Sequence, residues 1–140
     1  MTGNHPSRAQ AGFSLIEGLV SILIFSLGIL ALVGLQANSM QMSSGAKYRS
    51  DASLLASALI GQMWVTDRTS TTLQNNFNTG GPAYAAWLSD VQATLPVPAG
   101  NAPTVAVSAS GVVTVNIFWK APSEQASAPA HQYTAIAQVR

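Results

Sequence analysis

Gly12-Phe13-Ser14-Leu15-Ile16-Glu17 opens a run that continues as GLVSILIFSLGILALVGL from Gly18 to Leu35 without a charge, and the reading of this stretch decides the fold. At 1.5 Å per residue, the apolar block with Phe13, Leu15 and Ile16 added is long enough to cross about 30 Å of hydrocarbon. It reads as a transmembrane helix over 13–36. An ordinary secretory signal would be shorter and would end at a small-x-small site. The one candidate for such a site, near Ala37, has the bulky Leu35 two residues before it. Glu17 is the anomaly. A carboxylate inside a membrane segment costs roughly 2.5 to 3.5 kcal/mol at the helix centre on insertion scales, so it calls for a partner or a function. The competing reading seats it in the headgroup layer.

Around that stretch, 140 residues, 48% apolar and 8% charged, leave room for one modest domain beside one membrane segment. Arg8, Lys47, Arg49, Arg68, Lys120 and Arg140 are scattered rather than gathered into a stripe, which argues against a nucleic-acid partner. Basic residues fall on both sides of the apolar block and give only a lean toward a cytoplasmic N-terminus. The chain has no cysteine, so neither a disulfide framework nor a thiolate metal site is available.

Downstream, the apolar helix is expected to continue as an amphipathic one. Tyr48, Ala52, Leu55, Leu59 and Met63 recur at helical spacing, with Ala56 and Ile60 flanking, and should pack on a sheet. Lys47, Arg49, Asp51, Ser53 and Gln62 fall on the other side, as a solvated face. Gly28, Gly34, Gly45 and Gly61 each weaken the helix by roughly 1 kcal/mol relative to alanine, so local fraying is expected. The Thr, Asn and Gly of residues 66–81 predict a connecting loop with a helical turn. Pro82 suits a first helical position, and Tyr84, Trp87, Leu88, Val91 and Leu95 share a face before Pro96 stops the helix; Trp87 reads as core under the sheet. After Pro103 the period becomes two. Residues 104–109 and Val113 to Trp119 predict a hairpin turning at Ser110-Gly111, and Tyr133, Ala135, Ala137 and Val139 mark a last strand with an exposed edge. The expected class is α+β: a long N-terminal helix on a small antiparallel sheet.

Catalytic chemistry finds little material. His131 is the one histidine beyond the first dozen residues, and Asp51, Asp67, Asp90 and Glu124 are far apart in sequence, so no metal cluster or Ser-His-Asp set assembles. There is no Gly-rich phosphate loop followed by lysine. The expectation is a protein that is not an enzyme and needs no cofactor.

A polar leader ending in Gly12, then Phe13, a polar residue, two aliphatics, Glu17 and an apolar helix resembles the class III signal of type IV pilins and type II secretion pseudopilins. The resemblance implies that 1–12 is a leader removed by prepilin peptidase between Gly12 and Phe13, and that the new amine of Phe13 is methylated. It implies a filament-core helix over 13–36 and a periplasmic pilin-like domain over 37–140, held in the inner membrane of a Gram-negative bacterium. Glu17 would neutralise the N-terminal amine of an adjacent subunit and so set register.

More loosely, Gly28 with Leu35-Gln36, Leu54-Leu55-Ala56 running to Met63 and Asp67-Arg68, Trp87 before Leu95-Pro96, and a Val-Thr-Val strand ending in Trp119 resemble the type IV pilus modification protein, the PilV minor pilins. That implies pilus assembly priming and a tip complex, with other minor pilins, the major pilin, an assembly platform and a tip adhesin as partners, and motility and attachment downstream. Two alternatives stand beside it: a minor pseudopilin of a type II secretion system, and a bitopic membrane protein that binds a ligand and never polymerises.

Overall fold

The computed structural model describes residues 10–140, with side chains from Ser14 onward, so most of the leader and the side chains of Gly12 and Phe13 lie outside the described residues. Three helices, α1 (Gln10–Val65), α2 (Ser70–Phe77) and α3 (Pro82–Thr94), precede three strands, β1 (Thr104–Val107), β2 (Val112–Trp119) and β3 (His131–Gln138). The chain divides into two units between Gln41 and Met42.

In the first unit α1 is apolar on every face, and Leu15, Leu19, Leu23, Phe25, Leu27 and Leu30 are all exposed. A helix apolar all round belongs in a core or in lipid. By length and composition α1 is sufficient to cross a membrane, and none of its most apolar window is buried against the chain. Ser26 keeps its hydroxyl satisfied within the helix by donating to the Ile22 carbonyl at 2.7 Å. The expected fraying is absent: α1 carries through Gly28, Gly34, Gly45 and Gly61 without a break. One lost Cβ per roughly three turns is a weak perturbation against an otherwise unbroken run of backbone bonds.

The second unit holds the core. Ala52, Ala56, Leu59 and Met63 form the buried line of α1, with Tyr48, Leu55 and Ile60 partly buried beside it. Ala56, expected on the flank, sits at the centre, because spacings of four, three and four through Ala52, Ala56, Leu59 and Met63 track the 3.6 period more closely than a line through Leu55. Ser53 also departs from the solvated face: it is half-buried, and its hydroxyl accepts from the Tyr133 hydroxyl at 3.2 Å. On β2 every second residue, Val113, Val115, Ile117 and Trp119, is buried. On β3, Tyr133, Ala135 and Ala137 alternate as the half-buried side.

The sheet order is β1-β2-β3, both pairings antiparallel. The hairpin differs from expectation in its turn. β1 stops at Val107, and Ser108 to Gly111 form a four-residue connection closed by Gly111 N–H donating to the Ser108 carbonyl, with the Ser108 hydroxyl accepting from Val112 N–H. Gly111 is required there: its φ is +77°, and a Cβ would collide with the Val139 carbonyl oxygen.

Residues 66–81 contain a full helix, α2, where a loop with a single turn was expected. Its burial of Leu73 and Phe77 supplies what its Thr- and Asn-rich composition does not. Asp67 starts the helix by accepting from Thr69 N–H at 3.0 Å and from the hydroxyls of Thr69 and Thr72. The Thr69 N–H bond, then that of Thr72, holds the Asp67 carboxyl below its ordinary value of 3.8. α3 packs as expected, with Tyr84, Trp87 and Val91 buried. Its Trp87 indole N–H donates to the Leu55 carbonyl of α1 at 3.0 Å, and Tyr84 donates to the Pro103 carbonyl at 2.7 Å. Burial pushes the Tyr84 phenol up from its ordinary value of 10.0.

Candidate functional site

Gly12, Phe13 and Glu17 all lie on the first turns of α1. No proline falls between Gln10 and Glu17, and Gly12, the one weak helix former there, costs only about 1 kcal/mol relative to alanine, so the segment stays helical. Phe13 and Glu17 stand four residues apart, about 6 Å along the axis and on the same face. Glu17 is exposed, and among the described residues nothing hydrogen-bonds or ion-pairs with it. Arg8, the nearest basic residue in sequence, lies outside the described residues. The apolar flanks Leu15, Ile16 and Leu19 are exposed as well. An unpaired carboxylate set among exposed aliphatics is suited to receive a cation from another chain in a low-dielectric setting, where pairing is strongest.

In the globular unit the structure joins two residues that are apart in sequence. His131 Nε2 meets Glu124 Oε1 at 2.8 Å, and the imidazole stacks on Trp119 with centroids 5.8 Å apart. This fastens the 120–130 loop to the start of β3. The Lys120 ammonium secures the same loop by donating to the carbonyls of Ala126 and Ala128. Among the described residues the pair has no third titratable partner. Among the described residues no group of His, Asp and Glu is placed to hold a metal ion. Arg68 serves local structure: its guanidinium donates to the Arg140 carbonyl at 2.7 Å and lies over the Trp64 ring at 5.8 Å.

One functional feature is invisible to motif reading. The outer edge of β1 is closed: Val105 N–H donates to the Thr79 hydroxyl at 3.0 Å and Val107 N–H to Asn78 Oδ1 at 2.7 Å. The matching carbonyls are also occupied, Val105 O by Thr79 N–H and Val107 O by Gln74 Nε2. These bonds span 26 to 33 residues, and only the Asn and Thr content of the α2–α3 connection hints at them.

Residues 7–33 match the family described as the prokaryotic N-terminal methylation motif. No curated protein and no solved structure matches the chain. The matched stretch contains Gly12, Phe13 and Glu17 and most of the apolar part of α1. It supports a type IV pilin-like protein, a pilin or pseudopilin handled by prepilin peptidase and anchored in a membrane through α1, and it points to a structural rather than a catalytic role.

Proposed function

We propose that this chain is a minor pilin of a type IV pilus, cleaved between Gly12 and Phe13, methylated on Phe13 and gathered with other pilins into the complex that primes and tips the filament. The observation that carries the reading is the methylation motif over residues 7–33 with Glu17 exposed at the head of an apolar helix and unpaired among the described residues. Cleavage gives Phe13 a cationic amine one helical turn from Glu17, so every subunit carries one cation and one anion at bilayer depth, offset by about 6 Å along the axis. Two such subunits staggered along the axis pair amine to carboxylate; a misplaced subunit leaves both charges buried and alone. Removing one member of a buried pair costs about 3 to 5 kcal/mol, enough to reject wrong registers. The domain beyond residue 37 is then periplasmic and the protein single-pass in the inner membrane until it assembles. The minor-pilin choice, and within it the PilV-like choice, is supported by the loose pattern of Trp87, Leu95-Pro96 and the strand ending in Trp119.

The test is surface piliation and protein secretion in a strain lacking the gene, with and without the retraction motor. Loss of pili that returns when retraction is removed, with secretion intact, is the expected result. Intact pili with failed secretion would instead make the chain a type II secretion pseudopilin. Mass analysis of the membrane-extracted protein should find Phe13 at the N-terminus with one added methyl; a chain still joined through Gly12 would sink both readings and leave a non-polymerising membrane protein. Glu17→Val should be processed normally and fail to co-isolate with pilus subunits.

A further inference from the structure

β3 is the open side of the sheet. In an antiparallel ladder the N–H and C=O of one residue point to the same side, and the side alternates along the strand. Val139 N–H donates to the Gly111 carbonyl at 2.8 Å, which places the inward groups of β3 on Tyr133, Ala135 and Ala137. The backbone groups of Gln132, Thr134, Ile136 and Gln138 therefore point away from β2, and no described residue bonds them.

Soluble edges are ordinarily blunted by lysine, proline, a bulge or a covering loop. β3 has none of these. It pairs with β2 residue for residue from His131 to Gln138, and its sequence HQYTAIAQ holds no proline, lysine or acid. Ile136 stands 69% exposed on its outer face. Beside the strand, on the α1 side, runs a groove of about 600 Å³ lined by Arg49, Ser53, Leu54 and Tyr133 among others. Arg49 also borders the neighbouring hollow at Trp119, His131 and Gln132. Among the described residues no carboxylate pairs with Arg49.

The geometry points to β3 as the docking edge for an extended segment of a different protein, added antiparallel to the sheet and carrying an acidic side chain that reaches Arg49. Backbone groups in a regular row are answered by another backbone in a regular row, which fixes the occupant as a polypeptide strand. Arg49 fixes its charge. A second copy of this chain does not meet that condition, since β1, β2 and β3 contain no Asp or Glu. Because Arg49 lies near the His131 end of β3, the acid belongs near the C-terminal end of an antiparallel guest, on the side facing α1. The proposal stands on the sheet edge and Arg49, independently of the filament reading.

The test uses the full chain in detergent micelles and two short peptides of alternating Val and Thr, one with Asp near its C-terminal end and one with Asn in its place. Residue-resolved amide exchange is the readout. The Asp peptide should slow exchange at Gln132, Thr134, Ile136 and Gln138 and leave Tyr133, Ala135 and Ala137 unchanged. The Asn peptide should bind about fivefold more weakly, the scale of one partly exposed ion pair. Ile136→Pro should abolish protection, and Arg49→Gln, an exposed substitution that keeps the fold, should make the two peptides equal. No slowing by either peptide would overturn the proposal, as would equal binding of both to the unaltered chain. Concentration-dependent protection of the same amides without peptide would assign the edge to a second copy and overturn it too.

Discussion

Along β1 the outward N–H groups of Val105 and Val107 end on Thr79 and Asn78; along β3 those of Gln132, Thr134, Ile136 and Gln138 end on no described residue. Both are edge strands of one small sheet, and both present half their backbone groups outward. The difference lies in what the chain lays beside them. Gln74 of α2 and the connection that follows it cross β1 and answer it group by group, whereas β3 borders a groove lined by Arg49. One edge is finished internally, and the other is left in a state that a guest strand can read.

The largest test of that contrast is Trp87→Ala. Trp87 is 4% exposed and bonds the Leu55 carbonyl, holding α3 and with it the connection that closes β1. Its removal should cost about 3 to 5 kcal/mol in denaturant unfolding and raise exchange at Val105 and Val107 more than at β3. Asn78→Ala comes next. It leaves the Val107 N–H without its acceptor in a part-buried setting, for a loss of about 1 to 3 kcal/mol. Unchanged stability would mean that the β1 edge is closed by shape alone.

Asp67→Asn should have a smaller effect with a characteristic pH dependence. The Asp67 carboxyl sits below its ordinary 3.8 in the folded chain, so its contribution to stability is complete above that value and disappears as the pH falls through the folded value. The wild-type advantage over Asp67→Asn should therefore hold at neutral pH and shrink below 3.8. An advantage that persists in strong acid would mean that side-chain shape, not charge, starts α2. Smallest of all, Ile136→Thr keeps a β-branched residue at an exposed site and should stay within about 0.5 kcal/mol of the parent. A larger loss would show that the isolated chain already covers its β3 edge.

The same contrast explains what could be read in advance. The face of α1, the alternation of β2 and β3 and the start of α3 at Pro82 were legible because each is a local periodicity set by one apolar side. At the head of α1 the signal is of a different kind: a carboxylate at Glu17 inside an apolar run conflicts with its surroundings, which makes it a candidate functional residue, and it lies within the matched methylation motif over residues 7–33. α2 was not legible, since Ser70 to Phe77 offers only Leu73 and Phe77 as anchors and owes its helix to the core they enter. Nor was the closure of β1, whose donors and acceptors meet only after the chain has turned back on itself. The connection begins at Ser108, two residues before the end that alternation predicts for β1, because the Ser108 side chain is engaged by Val112 N–H at the start of the strand that follows. The open β3 edge was anticipated from its place at the end of the sheet; the unpaired Arg49 beside it was not, because helix periodicity assigns it to solvent.

The grip of Lys120 on the carbonyls of Ala126 and Ala128 has a use at the bench. The chain has only two lysine side chains, and the other, Lys47, stands exposed on α1. An amine-reactive dye given briefly should therefore mark Lys47 well before Lys120. Lys47 stands two residues from Arg49, about 200° round the helix and outside the lining of the groove, so a dye there follows α1 without occupying the groove and without engineering a cysteine into a protein that has none.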